Sequence, residues 1–490
     1  MTEKEFQAYL DSWVPAHRDE MVKCLLDLIR IPSVGTDPVG DKPFGVEVDR
    51  AFRFYLDEAR KAGFATKDVD GYAVHAEIGS GEGVAMALTH VDIVPVGSGW
   101  SKDPYGELSD GFIYGRGSQD NKGPTVACLY ALMALKESGA PLKMRVRHVV
   151  GGNEESGFRC VRHYFEVEPQ PTYGFSPDAM FPLVYAEKGS MNVIATAHLG
   201  HSGDKSRCGG GSSRCTLAEF SGGERANIVA GRAEAVVLVP EGQEDAITSS
   251  LMAAVEGARA AVGGPGPLEF SFEKGPGRVK AVSTGKPAHA STPHEGTNAI
   301  TGLLLVLASL GDSLEGSESL AFLAGAAEIH GKGLGIDCSD DISGNLTCNL
   351  GVATLEKEPG GAGAVLRCVY NCRYPVKANG EELKARALGH PRPESVSVEV
   401  PSVGRSHYTD PESPLVRTLL RVYREETGDT RPPIAIGGGT YAKVIQGGVA
   451  YGPVLPGAPE VAHQADERIS VDDLLFLVRI YARALFALAT

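Results

Sequence analysis

His90 and Asp92 stand two positions apart, directly after the apolar run MALT, in a pattern that could hold a metal ion. Side chains at positions i and i+2 of a β-strand point to the same face, so these two are predicted to lie side by side. A histidine that binds a metal usually donates its other ring N–H to a carboxylate, which fixes its tautomer. The pair therefore predicts a metal-binding histidine oriented by Asp92, while a solvated turn pair is the alternative for an isolated H-x-D.

Acidic residues and a second histidine occur in other loops of the chain. Asp120 lies among glycines in GRGSQDNKG, where it is either a helix N-cap or a carboxylate shared by two cations. Glu154 and Glu155 of GGNEESG follow a predicted strand, and beside a metal they can divide the roles of ligand and base. Asp178 of GFSPDAMFP and His463 of PGAPEVAHQADE complete the set, although a lone loop histidine is more often simply exposed.

These residues share one position in the predicted fold, because all of them fall at strand ends or in loops of the same α/β domain. Ligands of open α/β sheets bind beyond the carboxyl ends of the strands. One shared carboxylate turns five protein ligands into two sites of three, and the ligands are His90, Asp120, Glu155, Asp178 and His463. Imidazole and carboxylate ligands suit Zn²⁺ first, with Mn²⁺ or Co²⁺ as alternatives. Two such ions can activate a bridging water and polarise a carbonyl group.

The composition limits the class of protein. The chain has 490 residues, 42% hydrophobic and 22% charged, which is typical of a soluble protein with more than one large domain. Its net charge of −15 argues against nucleic acid binding, which needs a basic face. Nine cysteines without a C-x-x-C spacing predict reduced thiols in the cytoplasm. The N-terminus has no signal-peptide core and no stretch has the length of a membrane span, so we expect neither export nor a membrane partner.

The order of predicted elements indicates an α/β domain with an insertion. Strands alternating with helices over 1–190, and again over 406–490, predict a catalytic domain with a parallel-stranded sheet. Residues 191–405 combine alternating strands with apolar helices and predict an inserted α+β domain. Helices are expected at 16–31, 46–63, 124–138, 244–262, 298–312, 414–427 and 470–488.

Three other classes of protein fit the sequence less well. The stretch IGSGEGV resembles the dinucleotide motif G-x-G-x-x-G but has Val84 at its last position, and no G-x-x-x-x-G-K-[ST] is present. No G-x-S-x-G motif indicates a serine hydrolase. An inactive metal-binding scaffold would usually lack a ligand or a base, and this chain has a complete candidate set.

Nine motifs occur together in one order along nearly the whole chain: LLDLIRIPSV, THVDIVPVGSGW, GRGSQDNKGP, NEESG, SPDAMFPLVYAEKG, GKPAHASTPHEGTNA, NCRYP, IGGGTYAK and AHQADE. This order resembles the dinuclear zinc metallopeptidases that include aminoacylases, glutamate carboxypeptidases and succinyl-diaminopimelate desuccinylase. Within them it is most similar to the PepV-type, carnosinase-like dipeptidases. The resemblance implies a zinc-peptidase-type α/β catalytic domain with an inserted α+β lid domain.

The resemblance also implies a role for each residue of the candidate centre. His90 and Asp178 would bind one zinc ion, Glu155 and His463 would bind the other, and Asp120 would bridge the two. Asp92 would orient His90. The resemblance makes Glu154 the general base, which takes a proton from the bridging water and later delivers it to the leaving amine.

Residues of the insertion and of the C-terminal loop receive substrate-binding roles by the same resemblance. His289 would stabilise the tetrahedral oxyanion, and Asn227 and Arg373 would bind the substrate, with Arg373 on its C-terminal carboxylate. The loop with Gly438, Gly439 and Thr440 would line the pocket. Without the resemblance, His289 is equally well a turn histidine and Arg373 an exposed strand arginine.

The choice within the family lies between a dipeptidase and an N-acyl-amino-acid amidohydrolase. A dipeptidase recognises a free ammonium group, whereas a deacylase does not. The large insertion favours the dipeptidase branch, in which lid segments replace a partner subunit, so dipeptide substrates and a monomer are expected. Three departures from the family pattern are Thr89 in place of glycine, Asn153 in place of aspartate and Lys443 in place of arginine.

Overall fold

The computed structural model describes residues 1–200, 214–357 and 363–490, and these form two compact units. Unit 1 joins Met1–Glu187 with His407–Thr490, and unit 2 is Lys188–Ser406. The chain therefore leaves unit 1 once and returns to it. Cys208, which the sequence places beside a glycine-rich run, lies outside the described residues, and the eight described cysteines are free thiols.

The elements follow the chain in three groups. The first segment contains helices α1 Glu3–Ala16, α2 Arg18–Ile29, α3 Val46–Lys61, α4 Lys122–Glu137 and α5 Arg159–Val167, with strands β1 Ala65–Val69, β2 Ala73–Ile78, β3 Val84–His90, β4 Glu107–Ser109, β5 Phe112–Tyr114, β6 Arg145–Gly151, β7 Tyr173–Ser176, β8 Ala179–Met180 and β9 Val184–Glu187. Unit 2 contains strands β10 Gly189–His198, β11 Thr216–Gly222, β12 Arg232–Leu238, β13 Glu269–Gly275, β14 Arg278–Thr284, β15 Ser339–Asp340, β16 Gly344–Asn345, β17 Thr347–Lys357, β18 Ala364–Tyr374, β19 Val396–Glu399 and β20 Val403–Gly404, with helices α6 Glu244–Val262, α7 Ala299–Ala308, α8 Ser317–Gly325 and α9 Gly380–Gly389. The last segment contains β21 His407–Tyr408, β22 Ile434–Ile436, β23 Val449–Ala450, β24 Pro453–Val454 and β25 Arg468–Ser470, with α10 Pro414–Thr427 and α11 Val471–Ala489.

The main sheet of unit 1 is mixed, with the strand order β1-β2-β6-β3-β7-β23-β9-β21 and β22 paired to β9. Strand β3 pairs in parallel with β6 and β7, and β7 pairs in parallel with β23. All seven residues of β3 are buried, as expected for a central parallel strand. The predicted α/β class is confirmed, and the antiparallel pairs β1–β2 and β2–β6 are an addition to it.

The first helices of unit 1 were predicted in part. The helix expected at 16–31 is α2, Arg18–Ile29, whereas the preceding helix α1, Glu3–Ala16, was not predicted. Thr2 starts α1 through a capping box with Glu5, a T-x-x-E signal that the sequence prediction missed. Helices α6 and α10 have the predicted bounds. Helix α7 ends at Ala308, before the predicted residue 312, because the chain turns into a 3-10 helix at Gly311–Ser313.

Unit 2 is built on an antiparallel sheet with the order β13-β14-β12-β11-β17-β18-β10-β19, and β20 pairs with β10. Its core combines the inward residues of this sheet with those of α6, α7 and α8. Alternation of buried and partly exposed residues along β12 and β14 explains the period-2 pattern in the sequence. None of the described helices has both the length and the apolar composition that crossing a membrane requires.

Thr89 takes part in a buried polar chain beneath the end of β3. Its Oγ1 lies 2.8 Å from Nε2 of His148 on β6, and Nδ1 of His148 lies 2.9 Å from the Tyr55 hydroxyl on α3. Thr125 of α4 donates a hydrogen bond to Thr89 Oγ1 at 2.9 Å. Burial lowers the pKa of His148 from 6.5 to about 3, so the ring stays neutral in the folded protein. Thr89, where the resemblance implies glycine, therefore has a structural use.

The neutral His148 predicts a contribution to acid sensitivity. Its pKa is lower in the folded than in the unfolded chain, so the unfolded chain binds more protons below pH 6.5, and stability falls as the pH is lowered from 6.5 towards 3. We expect His148→Gln to reduce the slope of the unfolding free energy between pH 6 and 4 by about 1.4 kcal/mol per pH unit. Urea unfolding at several pH values measures this slope for wild type and for the variant. Equal slopes for wild type and His148→Gln would contradict the prediction.

Candidate metal centre

His90 ends β3 and is completely buried. Its Nδ1 donates to the backbone carbonyl of Asp92 at 3.0 Å. Its Nε2 faces two carboxylates, at 3.0 Å from Asp120 Oδ1 and 3.6 Å from Asp178 Oδ1. The hydrogen bond at Nδ1 fixes the ring so that the Nε2 lone pair points into the acidic cluster, as a metal ligand requires.

The Asp92 carboxylate has a wider structural role than the sequence predicts. Oδ1 lies 3.4 Å from His90 Nδ1, but the stronger contact to the ring is the Asp92 carbonyl. The two carboxylate oxygens accept hydrogen bonds from the backbone amides of Glu154 and Glu155, at 3.0 and 3.1 Å. Asp92 therefore couples the loop of the first histidine to the loop of the two glutamates.

Asp120 lies between the two histidines. Its Oδ1 is 3.0 Å from His90 Nε2 and its Oδ2 is 3.1 Å from His463 Nε2. The N-cap position of α4 is occupied by Asn121, so Asp120 is not the cap that was the alternative interpretation. Asn121 instead donates to the Pro177 carbonyl at 2.6 Å and to Asp178 Oδ1 at 3.1 Å. This contact could not be predicted from the sequence, because an asparagine before a helix is most often a cap.

Six side chains converge as two groups of potential metal ligands. One group contains His90, Glu154 and Asp178, and the other contains Asp120, Glu155 and His463. Within each group the ligand atoms lie within 4.8 Å of one another. Each group combines one imidazole with two carboxylates, a donor set that suits Zn²⁺, Mn²⁺ or Co²⁺.

The charges in this cluster favour bound cations. Burial, and then the negative charge of Asp178, raises the pKa of Glu154, and burial raises the pKa of Asp178 to about 6. Burial opposes ionisation of Asp120, but hydrogen bonds from His463 and His90 hold its pKa below the usual range. Although partial desolvation opposes its positive charge, hydrogen bonds to Asp120 and Glu155 raise the pKa of His463, whose side chain is 47% exposed, to about 11. Carboxylates that disfavour one another's ionisation in a buried place fit divalent metal ions.

Asn153, where the resemblance implies aspartate, is used within its own loop. Its amide donates to Ser156 Oγ at 2.5 Å, and its carbonyl oxygen accepts from the backbone amide of Arg159 at 3.0 Å. Both contacts lie at the start of α5. This substitution therefore helps to fix the loop that carries the glutamate pair.

The glycine-rich loop follows β22 and is tied to a buried carboxylate. Glu187, at the end of β9, accepts from the Thr440 amide at 3.0 Å and from the Thr440 hydroxyl at 2.7 Å. Lys443 Nζ lies 4.0 Å from Glu187. Gly438 and Gly439 lie just before this anchor. Glu187 was not singled out in the sequence, although it belongs to the AEKG part of a quoted motif.

The predicted substrate-binding residues of unit 2 lie in two places: Asn227 and His289 in loops joined by an isolated β-bridge, and Arg373 on strand β18. Ala290 donates from its backbone to the Asn227 carbonyl at 3.0 Å, and His289 pairs with Ile228, so Asn227 and His289 are neighbours. His289 is exposed, and its Nδ1 lies 2.6 Å from Ser291 Oγ. Arg373 lies on β18, where its Nε donates to Asn371 Oδ1 at 3.0 Å.

Comparison with known proteins relates this geometry to a family. Residues 86–487 match the family described as Peptidase family M20/M25/M40. A relative from Bacillus subtilis strain 168, named "Putative dipeptidase YtjP", is 36% identical over 479 residues, which cover 96% of this chain and 98% of the relative.

Two solved structures share the fold. The di-peptidase Dug1p of Saccharomyces cerevisiae has a TM-score of 0.60 at 14% identity and covers 100% of this chain and 99% of its own. The Bacillus subtilis YXEP protein, described as a dinuclear metal-binding peptidase from the M20 family, has a TM-score of 0.51 at 12% identity, covering 97% and 99%. At these identities the likeness concerns the fold alone. The family match covers most of the chain, and the 36% identical relative is matched along nearly its whole length. This protein therefore belongs to peptidase family M20/M25/M40 and is a metallopeptidase.

Proposed function

We propose that this protein is a dipeptidase that uses two divalent metal ions to hydrolyse the peptide bond of unblocked dipeptides. The observation that carries the proposal is the position of Asp120, whose two oxygens face the histidines of two separate ligand groups. A carboxylate so placed can bridge two ions. The name of the 36% identical relative supports dipeptides as the substrate class.

The ligands divide between the ions in the following way. His90 and Asp178 would hold one ion, Glu155 and His463 would hold the other, and Asp120 would contact both. The donor set favours Zn²⁺, with Mn²⁺ and Co²⁺ as alternatives. When bound, two such ions lower the pKa of water and polarise the scissile carbonyl group.

Glu154 is the proposed general base. Its backbone is fixed by the Asp92 carboxylate, and its raised pKa, caused first by burial, makes it a better proton acceptor than an exposed glutamate. It takes a proton from the attacking water as the new C–O bond forms. It then delivers this proton to the nitrogen of the leaving amino acid as the C–N bond breaks. The two products are free amino acids.

We propose that unit 2, Lys188–Ser406, is the lid that was predicted as the insertion 191–405. Arg373 would bind the C-terminal carboxylate of the substrate with its planar guanidinium group, and Asn227 would contact the substrate beside His289. Gly438 and Gly439 would present backbone groups to the substrate, and Thr440 would line the pocket while its amide and hydroxyl anchor the loop to Glu187.

His289 is the proposed oxyanion-stabilising residue, and its removal gives a kinetic prediction. We expect His289→Ala to lower kcat by about 10²–10³-fold with a much smaller change in KM, because the contact forms mainly in the transition state. Steady-state kinetics on one good dipeptide measures both constants. His294→Ala, in the same segment, is the matched control and should retain wild-type kinetics. A change confined to KM would rule out the role.

A substrate panel tests the proposed function. The protein is loaded with Zn²⁺ or Mn²⁺, its metal content is measured, and it is then assayed on free dipeptides and on their N-acetyl forms. We expect cleavage of the free dipeptides and little cleavage of the acetylated set. Equal or faster cleavage of the acetylated set would make the protein an N-acyl-amino-acid amidohydrolase instead.

We further propose that the enzyme works as a monomer in the cytoplasm. The free thiols of the described cysteines fit a reducing compartment. A large unit 2 fits a chain that carries its own lid. Sedimentation of the purified protein would test the monomer.

A further inference from the structure

Two loops of unit 1 that are far apart in sequence carry Asp120 and His463 of the second ligand group, and they are hydrogen-bonded to each other. Glu467 is completely buried and lies four residues after His463. Its Oε1 accepts hydrogen bonds from the backbone amides of Gly117, Gln119 and Asp120, at 3.0, 3.0 and 3.1 Å. A carboxylate from the His463 loop therefore fixes the backbone of the Asp120 loop.

The reverse contact also exists. Gln119 Oε1 accepts from the backbone amides of Val461 and Ala462, at 3.0 and 3.2 Å. Gln119 directly precedes Asp120, and Ala462 directly precedes His463. Each loop thus contributes one side chain that binds the backbone of the other loop beside a ligand. We refer to these two side chains as the Gln119–Glu467 clamp.

The remaining oxygen of Glu467 is also used. Oε2 accepts from Arg116 Nη1 at 2.6 Å in an ion pair that is almost fully buried. The arginine is a charge partner for this buried carboxylate, whose other oxygen accepts the three amides. His463 itself has a φ of 63°, a left-handed conformation that a residue with a side chain keeps only where its surroundings enforce it. The clamp supplies such surroundings on both sides of the contact.

We propose that Gln119 and Glu467 are positioning residues that set the distance between Asp120 and His463 and thereby the affinity of one of the two metal ions. This inference rests on the proposed two-ion centre. The affected ion is the one held by Asp120, Glu155 and His463. The ion at His90 and Asp178 shares only Asp120 with the clamped loops, and its other ligands are fixed by Asp92 and Asn121. Loosening the clamp therefore weakens one ion more than the other.

Metal retention of the loaded enzyme tests the proposal without an activity assay. Zn²⁺-loaded wild type, Gln119→Leu and Glu467→Gln are dialysed against buffers in which a chelator sets stepwise lower free Zn²⁺, and the bound metal is measured by mass spectrometry. We expect each variant to lose one ion at about 10–100-fold higher free Zn²⁺ than wild type, while the other ion leaves at a concentration within about threefold of the wild-type value. Gln119→Leu keeps the test valid if the buried Glu467→Gln fails to fold, since Gln119 is only partly buried.

Asp466→Asn is the matched control. Asp466 is adjacent to Glu467 and also accepts backbone hydrogen bonds, from Ser101 at 2.8 Å and Lys102 at 3.1 Å, but these amides do not adjoin a ligand. Its metal retention should equal that of wild type. Unchanged retention in folded Gln119→Leu, or equal weakening of both ions, would overturn the inference. A wild-type enzyme that holds fewer than two ions would instead refute the proposed two-ion centre.

Discussion

Replacing Glu154 by glutamine is expected to remove most of the turnover while both metal ions stay bound. Glutamine has nearly the shape of glutamate, and the backbone amide of residue 154 keeps its hydrogen bond to Asp92, so the loop should not move. The side-chain amide of the glutamine, unlike the carboxylate of Glu154, cannot accept the proton of the attacking water. Loss of a general base typically costs about 10²–10⁴-fold in rate. The measurements are kcat on a free dipeptide and metal content per chain.

Glu155→Gln is the matched control for this experiment. The backbone amide of Glu155 donates to the second oxygen of the Asp92 carboxylate, whereas the Glu155 side chain lies 3.0 Å from His463 Nε2 in the second ligand group. We therefore expect this variant to bind one ion more weakly. If Glu154→Gln lost metal and kept activity, while Glu155→Gln kept metal and lost activity, the proposed roles of the two glutamates would be reversed.

Asp120→Ala is expected to weaken the binding of both ions and to abolish activity. Asp120 faces both histidines, at 3.0 and 3.1 Å, so its removal takes one ligand atom from each proposed site. It also leaves the remaining carboxylates close together, with less bound metal charge to offset their mutual repulsion. Loss of several kcal/mol of metal assistance corresponds to a rate decrease of about 10³-fold or more. Metal content and kcat measured on the same preparation check both parts.

Asp178→Asn separates the bridging role from simple ligation. Asp178 belongs only to the group with His90 and Glu154, so its substitution should affect the retention of one ion. If Asp120→Ala and Asp178→Asn both left one ion bound with wild-type affinity, Asp120 would not bridge.

The elements around the candidate centre follow from local sequence. An unbroken apolar run predicts a buried strand, and β3 is that strand. Polar residues at strand ends or in loops of one α/β domain predict a cluster beyond the carboxyl ends of the strands, and the structure brings six of them into two ligand groups. Helices α6 and α10 could be bounded because their stop signals, Gly263 and Gly428, are local.

The contacts that hold the ligands in place were not predictable from local sequence. Glu467 and the Gly117 amide that it binds are separated by 350 positions, and neither segment shows its partner. An acidic residue in a loop is usually exposed to solvent, whereas Glu467 is completely buried. The use of the Asp92 carboxylate by two backbone amides, in addition to its contact with His90, is likewise a product of tertiary structure.

The division of unit 1 into two chain segments determines when its metal centre can form during translation on the ribosome. Strand β23 comes from the last segment of the chain, yet it lies between β7 and β9 of the first segment. His463 follows it, after all of unit 2 has been translated. A nascent chain that has emerged only as far as residue 406 holds four of the five proposed ligands and an unfilled gap in its sheet. The centre can therefore be assembled only after the segment that follows unit 2 has been translated.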